Sequence, residues 1–221
     1  MGTKIRFGLA VLLVSSTTTT AWPQSAIQRR MAQEYPIMLT ATFKGNAGQK
    51  TVNHQVGGIE QRLGAKDKVR TKVMNYDVRV TSNAKKGVER FSFEAITMAR
   101  IGKKEFPCHM ESFPIALMAK SGTNIMVRSA AATSRDVVKV DITGVRETYN
   151  VRTGETLNRS YDYNKSAHKE GAVIKGMIFR VKKNGVIIRT WCSDPSAAWK
   201  EIAWKQDVET AEVPKVSEEA M

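Results

Sequence analysis

The segment Val69–Val80 limits what this chain can fold into more than any other. Met74, Tyr76, Val78 and Val80 fall on one side of an extended backbone, while Lys or polar side chains fall on the other. A period of two, apolar against polar, is the signature of a half-buried antiparallel strand. A second local signal lies near the end, where Val173–Val181 and Val186–Cys192 flank Lys182-Lys183-Asn184-Gly185. Asn-Gly between β-rich runs predicts a hairpin, because both residues tolerate positive φ.

Other strand-like runs are Ile37–Phe43, Thr51–Val56, Phe91–Ile101, Asn124–Ser129, Val137–Thr143 and Tyr149–Arg152. A Gly- and Asn-rich turn separates the first two, and Thr153-Gly154-Glu155 makes a tight turn after the last. Two short helices complete the reading. Ser25–Tyr35 forms a helical arm stopped by Pro36, and Ser193-Asp194-Pro195 starts a helix to about Lys205. Ala198, Trp199, Ile202 and Ala203 give that helix an apolar stripe suited to packing on a sheet. The expected fold is therefore mainly β: an antiparallel β-sandwich with a short N-terminal helical arm and one C-terminal helix. It is immunoglobulin-like only in the loose architectural sense. No Trp follows Cys108 at the antibody spacing, and Thr190 stands where a tyrosine corner would lie.

Three segments are expected: a signal peptide (1–26), a single β-rich domain (27–206) and a flexible acidic tail (207–221). Lys4 and Arg6 supply the positive start of an export signal, and Phe7–Val14 its apolar core. Polar Ser15–Thr20 leads to cleavage either at Ala21, with Thr19, or at Ala26. The apolar core falls short of the roughly 20 residues of a transmembrane helix. Export places Cys108 and Cys192 in an oxidising compartment, where two cysteines read as one disulfide; the alternative is two buried free thiols.

The chain holds 35 basic and 21 acidic residues. Two basic residues lie in 1–26; two basic and six acidic lie in 201–221. Residues 27–200 therefore carry 31 against 15, a net of +16. Such a field attracts acidic glycans, lipopolysaccharide phosphates, teichoic chains or nucleic acid. Nucleic acid is disfavoured for an exported chain. The candidate basic patch comprises Lys66, Lys68, Arg70, Lys72, Lys85, Lys86, Arg90, Lys103, Lys104, Lys182 and Lys183, with scattered solubilising charge as the alternative. Tyr161, Asp162 and Tyr163 lie among basic residues on an expected mobile loop, where aromatics beside cations can stack on sugars or bases.

No reaction is dictated. Gly45–Thr51 lacks the spacing of a phosphate loop, with Gln49 standing between Gly48 and Lys50. Ser82-x-x-Lys85 and Ser166-x-x-Lys169 match a penicillin-enzyme spacing without its apolar helix or Lys-Thr-Gly partner. His54, His109 and His168 are not at metal-ligand spacing, and no Gly-x-Ser-x-Gly elbow occurs. No catalytic residue, metal or cofactor is expected; a periplasmic hydrolase using spatially paired carboxylates is the remaining enzyme reading.

FRVKKNGVIIRTWCSDPSAAW (Phe179–Trp199), 21 of 221 residues, resembles the terminal hairpin-plus-helix of uncharacterised exported bacterial envelope proteins. The resemblance implies a periplasmic or cell-surface setting, pilus- or surface-associated, and carries no functional residues. The function expected is a non-catalytic envelope interaction protein, an accessory of a pilus or outer-membrane assembly with an envelope protein partner. The alternative is a basic module binding an acidic glycan or lipopolysaccharide.

Overall fold

The computed structural model describes residues 25–54 and 56–216. The expected signal peptide, residues 1–26, lies outside them except for Ser25 and Ala26. Ser25 caps α1 (Ala26–Glu34) through a reciprocal pair of hydrogen bonds with Gln28. Nine strands follow: β1 (Ile37–His54), β2 (Lys66–Ser82), β3 (Val88–Ile101), β4 (Lys104–Met118), β5 (Gly122–Arg128), β6 (Ala132–Tyr149), β7 (Thr156–Gly171), β8 (Val173–Lys183) and β9 (Val186–Cys192). A one-turn helix, α2 (Gly58–Arg62), precedes β2, and α3 (Ala197–Trp204) follows β9.

The strands form two antiparallel sheets. The first runs β1-β2-β6-β7, with β5 also paired to β2; the second runs β4-β3-β8-β9. Their facing sides share one core, as the sequence pattern predicts for a sandwich. Met74, Tyr76, Val78 and Val80 of β2 face Phe91, Phe93, Met177, Phe179 and Val181 of the second sheet. At its centre Phe179 stacks on Trp191 (5.4 Å between ring centroids) and Phe93 (5.8 Å), with Tyr76 edge-on at 5.5 Å.

The outer face of the second sheet is covered too. Trp199 and Ala203 of α3 pack on Ile96, Met98 and Ile178. A Cβ at Gly176 would collide with Ser193 Oγ and lie 3.2 Å from the Trp199 ring, so this close approach needs glycine. Beside the helix, Arg180 is wholly buried, donating to Glu94 (2.8 Å) and to the Lys205 carbonyl (2.6 Å). Lys182 binds the other oxygen of the Glu94 carboxylate at 2.7 Å. Trp199 Nε1 donates to Glu105 at 2.8 Å.

The β8–β9 hairpin turns at Asn184 and Gly185, both at positive φ, as expected. Four expectations require correction. The predicted turn after Phe43 is absent. β1 instead continues to His54 through two register shifts, with Gly45 and Gly48 at positive φ beside them. β4 has no counterpart in the sequence reading; its Pro107 and Pro114 obscure it, yet prolines are tolerated because β4 is an edge strand. The loop expected around Tyr161–Tyr163 is the middle of β7, a strand held by its ladder to β6 rather than by burial. The tail from Asp207 carries neither helix nor strand through Val216 and makes a few contacts with the body. Ala211 N donates to the Pro107 carbonyl at 2.9 Å, and Val208 and Val213 pack on the two apolar clusters.

The expected disulfide is not formed: Cys108 and Cys192 are free thiols. Topology explains this. They lie on β4 and β9, opposite edges of one sheet: Cys192 pairs with Ile178 and Ile178 with Ile96, while Cys108 is the extra residue at the β3–β4 register shift, between His109 and Pro107. Three strand spacings separate them by about 14 Å, twice the roughly 7 Å limit for bridging Cα atoms. They also face opposite ways, Cys108 towards the main core and Cys192 towards α3.

Candidate functional site

Sheet one is longer than the sheet packed on it. Near Lys72 the second sheet ends: Lys72 Nζ donates to the carbonyl of Ile174, one residue after Val173, which pairs with Arg100. β2 continues past that point with Arg70, Lys68 and Lys66. β2 contributes no extra residue to any register shift, so these cations stay in phase with Met74, Tyr76, Val78 and Val80. The face that builds the core thus becomes, beyond the edge of the second sheet, a row of cations about 6.6 Å apart.

Neighbouring strands widen the row. Lys68 pairs across to Asp136, which pairs to Lys169 on β7. Asp136 accepts from Arg70 at 3.1 Å and from Lys169 at 3.6 Å. Burial lowers the Lys72 pKa, and the charge of Lys175 lowers it further, the electrostatic mark of crowded cations. Arg100, Lys103 and Lys104 belong to the same end of the molecule, at the β3–β4 turn.

The candidate patch therefore divides. Lys66, Lys68, Arg70, Lys72, Lys103 and Lys104 lie at this end. Lys85, Lys86, Arg90, Lys182 and Lys183 lie at the other, about 30 to 50 Å away along β2. Two of that second group are already engaged: Lys182 with Glu94, and Lys183 with Glu89 and over the rings of Tyr35 (4.9 Å) and Phe91 (5.2 Å). Sequence reasoning missed Lys169, Lys175 and Arg100. Each lies far from β2 in sequence, and only the cross-strand register brings it to this end of the molecule.

From the same end β6 and β7 run on as a two-stranded arm, residues 139–166, about 35 Å long. One face carries Ile142 opposite Tyr163, Val145 opposite Tyr161, and Glu147 opposite Arg159. The other carries Asp162, Arg146, Ser160 and Asn164, with Arg146 bound to Asp162 at 3.1 Å. Lys165 Nζ sits 5.2 Å from the centroid of the Tyr163 ring. The aromatic face continues the cationic one, since Val138, opposite Lys66, alternates in phase with Val140 and Ile142.

At the root of the arm a cleft of about 320 Å³ opens, lined by Val56, Glu60 and Ala65 around α2 and by Asp67, Arg135 and Val137–Asp141. Its polar anchor is Arg135, which donates from Nε to Asp67 at 2.8 Å. That hydrogen bond holds the Asp67 carboxyl below the usual carboxylate range, against the opposing effect of burial.

Burial pushes the Cys108 and Cys192 thiols up to about 11, far from nucleophilic character at neutral pH. His109 and His168 each bond at 3.1 Å to a glutamate two residues along the same strand, Glu111 and Glu170. Among the described residues no group of three His, Cys, Asp or Glu side chains is arranged to hold a metal. Among them, too, no helix is long and apolar enough to cross a membrane.

No family model and no curated protein matches the chain. A solved structure from Akkermansia muciniphila aligns over 75% of this chain and 76% of its own, at 10% identity and a TM-score of 0.27. That superposition is too loose to support an argument about fold or function.

Proposed function

We propose that this chain is a non-catalytic, exported interaction protein of a bacterial cell envelope, an accessory of a surface assembly such as a pilus, that holds an acidic polymer along the overhang of its longer sheet. The observation that carries the reading is the row Lys66, Lys68, Arg70 and Lys72. It stands in phase with the core strand but outside the sandwich, with Asp136 the carboxylate directly across from it. Burying cations against the ligand rather than the core costs the fold little, and the row is rigid because β1 and β6 bracket it on both sides. An acidic glycan fits the adjoining Tyr161–Tyr163 face, where sugar rings can stack beside the cations. The export signal expected in residues 1–26 supports a ligand outside the cytoplasm, such as lipopolysaccharide or another anionic envelope polymer.

The test is a titration of a sulfated glycan and of lipopolysaccharide across a salt series. The triple variant K66Q/K68Q/R70Q is compared with K85Q/K86Q at the far pole. Affinity of the native protein falls with salt. If each contact counts as phosphate contacts do on nucleic acids, the triple variant lowers the log–log slope by about 2 to 3. The far-pole variant leaves it unchanged. Binding that ignores salt, or equal effects of the two variants, refutes the site.

A further inference from the structure

β7 is hydrogen-bonded on one side only. Its ladder runs to β6, and among the described residues no strand borders its other edge. Proteins normally blunt such an edge with proline, a bulge, a short strand or charged side chains, lysine above all; of these the edge carries only charge, with Lys165 and Lys169 its lysines. Here the edge from Asn158 to Gly171 has no proline, and the register shift on β7 falls outside it, at Leu157. The arm is also the electrically quiet part of a chain with net charge +14. Residues 139–166 carry five basic side chains (Lys139, Arg146, Arg152, Arg159, Lys165) and four acidic ones (Asp141, Glu147, Glu155, Asp162). Self-repulsion is thus weakest where the backbone is most available for pairing.

Symmetry limits which strand can be added. In an antiparallel pair of identical strands related by a two-fold axis through the sheet, opposed residues share a face, so the axis passes through a residue. The two registers of longest overlap centre on Tyr163 and on Asn164. Centred on Asn164, Arg159 of one copy faces Lys169 of the other, twice, a like-charge contact that disfavours the pairing. Centred on Tyr163, no like charges oppose each other anywhere between Asn158 and His168. Tyr161 faces Lys165, Asp162 faces Asn164, Ser160 faces Ser166 and Arg159 faces Ala167. Lys165 already lies over the ring of Tyr163, so the second copy's Tyr161 ring meets an ammonium in place.

From this edge, its near-neutral charge and its self-complementary register we infer that the protein pairs with a second copy of itself through β7, antiparallel about Tyr163. The two arms then join as one four-stranded sheet, β6-β7-β7-β6. The pairing leaves the overhangs, one per copy, at opposite sides of the joined arms. It leaves the cationic row untouched, because none of Lys66, Lys68 or Arg70 takes part in it, and shares with the polymer-binding reading only the arm residues Tyr161 and Tyr163.

Sedimentation equilibrium and thiol trapping test the pairing. Native protein is expected to dissociate on dilution from a dimer. N164D places an aspartate opposite Asp162 at two symmetric positions and weakens the dimer by roughly tenfold. N164K places opposite charges there and strengthens it. Directly opposed residues stand about 4.5–5.5 Å apart at Cα, so Y163C forms an inter-chain bond between the two introduced thiols, identified by mass spectrometry of the linked peptide. A protein monomeric up to millimolar concentration, with no such bond, overturns the inference. So does a dimer that responds alike to N164D and N164K, or one in which the introduced thiol links elsewhere.

Discussion

β2 and β6 each belong to two environments, and the contrast shows what holds a strand in place. In the sandwich, β2 presents Tyr76, Val78 and Val80 to a second sheet and is buried on alternate positions. Ten residues earlier it is bracketed by strands but lies beyond the second sheet, and the same phase carries Lys66, Lys68 and Arg70. β6 repeats the pattern, from buried Ala132 and Val137 to an arm whose side chains are mostly exposed. The body is held by burial, the overhang and arm by backbone ladders and cross-strand pairs. Burial is worth roughly 1.5–3 kcal/mol per large apolar side chain; a cross-strand pair is worth roughly 0.2–1 kcal/mol. Evolution can therefore exchange side chains on the overhang without unfolding the body, which is what a recognition surface requires.

The largest effect expected from this contrast is in the aromatic stack. Phe179→Ala empties the space between Trp191, Phe93 and Tyr76 and should cost about 3–5 kcal/mol, a large fraction of the roughly 5–15 kcal/mol that holds a typical domain folded. Tyr163→Ala, an equally large deletion on the arm, should cost under about 1 kcal/mol. Urea midpoints of the two variants measure the difference. Similar losses would mean that the arm is part of the cooperative core and that the division drawn here is wrong.

The junction between the regions is the next test, through Asp67 and Arg135, whose side chains are 12% and 9% exposed. The Asp67 pKa is depressed in the folded protein, chiefly by the Arg135 hydrogen bond. Such a group adds stability above its unfolded pKa, near about 4, and that contribution is lost as pH falls through the lower folded value. Asp67→Asn should therefore lower stability by about 1–3 kcal/mol at pH 7. The gap to the native protein should close as pH falls below the unfolded value. Urea titrations from neutral to acidic pH follow it; a gap that stays constant would show that the carboxylate charge is not what secures the overhang.

The sequence was legible where burial wrote it. The alternation through Val80, the Asn184-Gly185 turn and the Trp199–Ala203 stripe all report a face pressed against another element, and each was found in place. β4 and β7 were not legible, for opposite reasons. β4 is interrupted by prolines that only its edge position excuses. β7 buries almost nothing, so no apolar period marks it, and its conformation comes from β6 across the ladder. The site was half legible for the same cause. Lys66, Lys68, Arg70 and Lys72 share a strand, so their spacing shows in the sequence, whereas Lys169 and Arg100 join them only through register. The poles about 30 to 50 Å apart along β2 could not be told from one patch, because charge composition carries no direction.

The smallest effect concerns reactivity rather than stability, and it separates body from arm most finely. Cys108 and Cys192 stand on opposite faces of the second sheet, yet burial pushes both thiols up to about 11. An open thiol titrates near about 8.5, so at neutral pH each native cysteine should react with a maleimide or disulfide reagent roughly a hundredfold more slowly than an exposed one. Ser160→Cys supplies the comparison, since residue 160 is exposed on the polar face of the arm and faces no buried group. In one sample, the introduced thiol should label at an ordinary rate while the two native thiols lag. After denaturation without reductant all three should label together, as three free thiols. Two thiols missing from that denatured count would restore the Cys108–Cys192 bond and overturn the strand order that holds them apart. A native thiol that labels as fast as the arm thiol would mean that an edge of the second sheet opens locally, and that the body is less uniformly held than its core suggests.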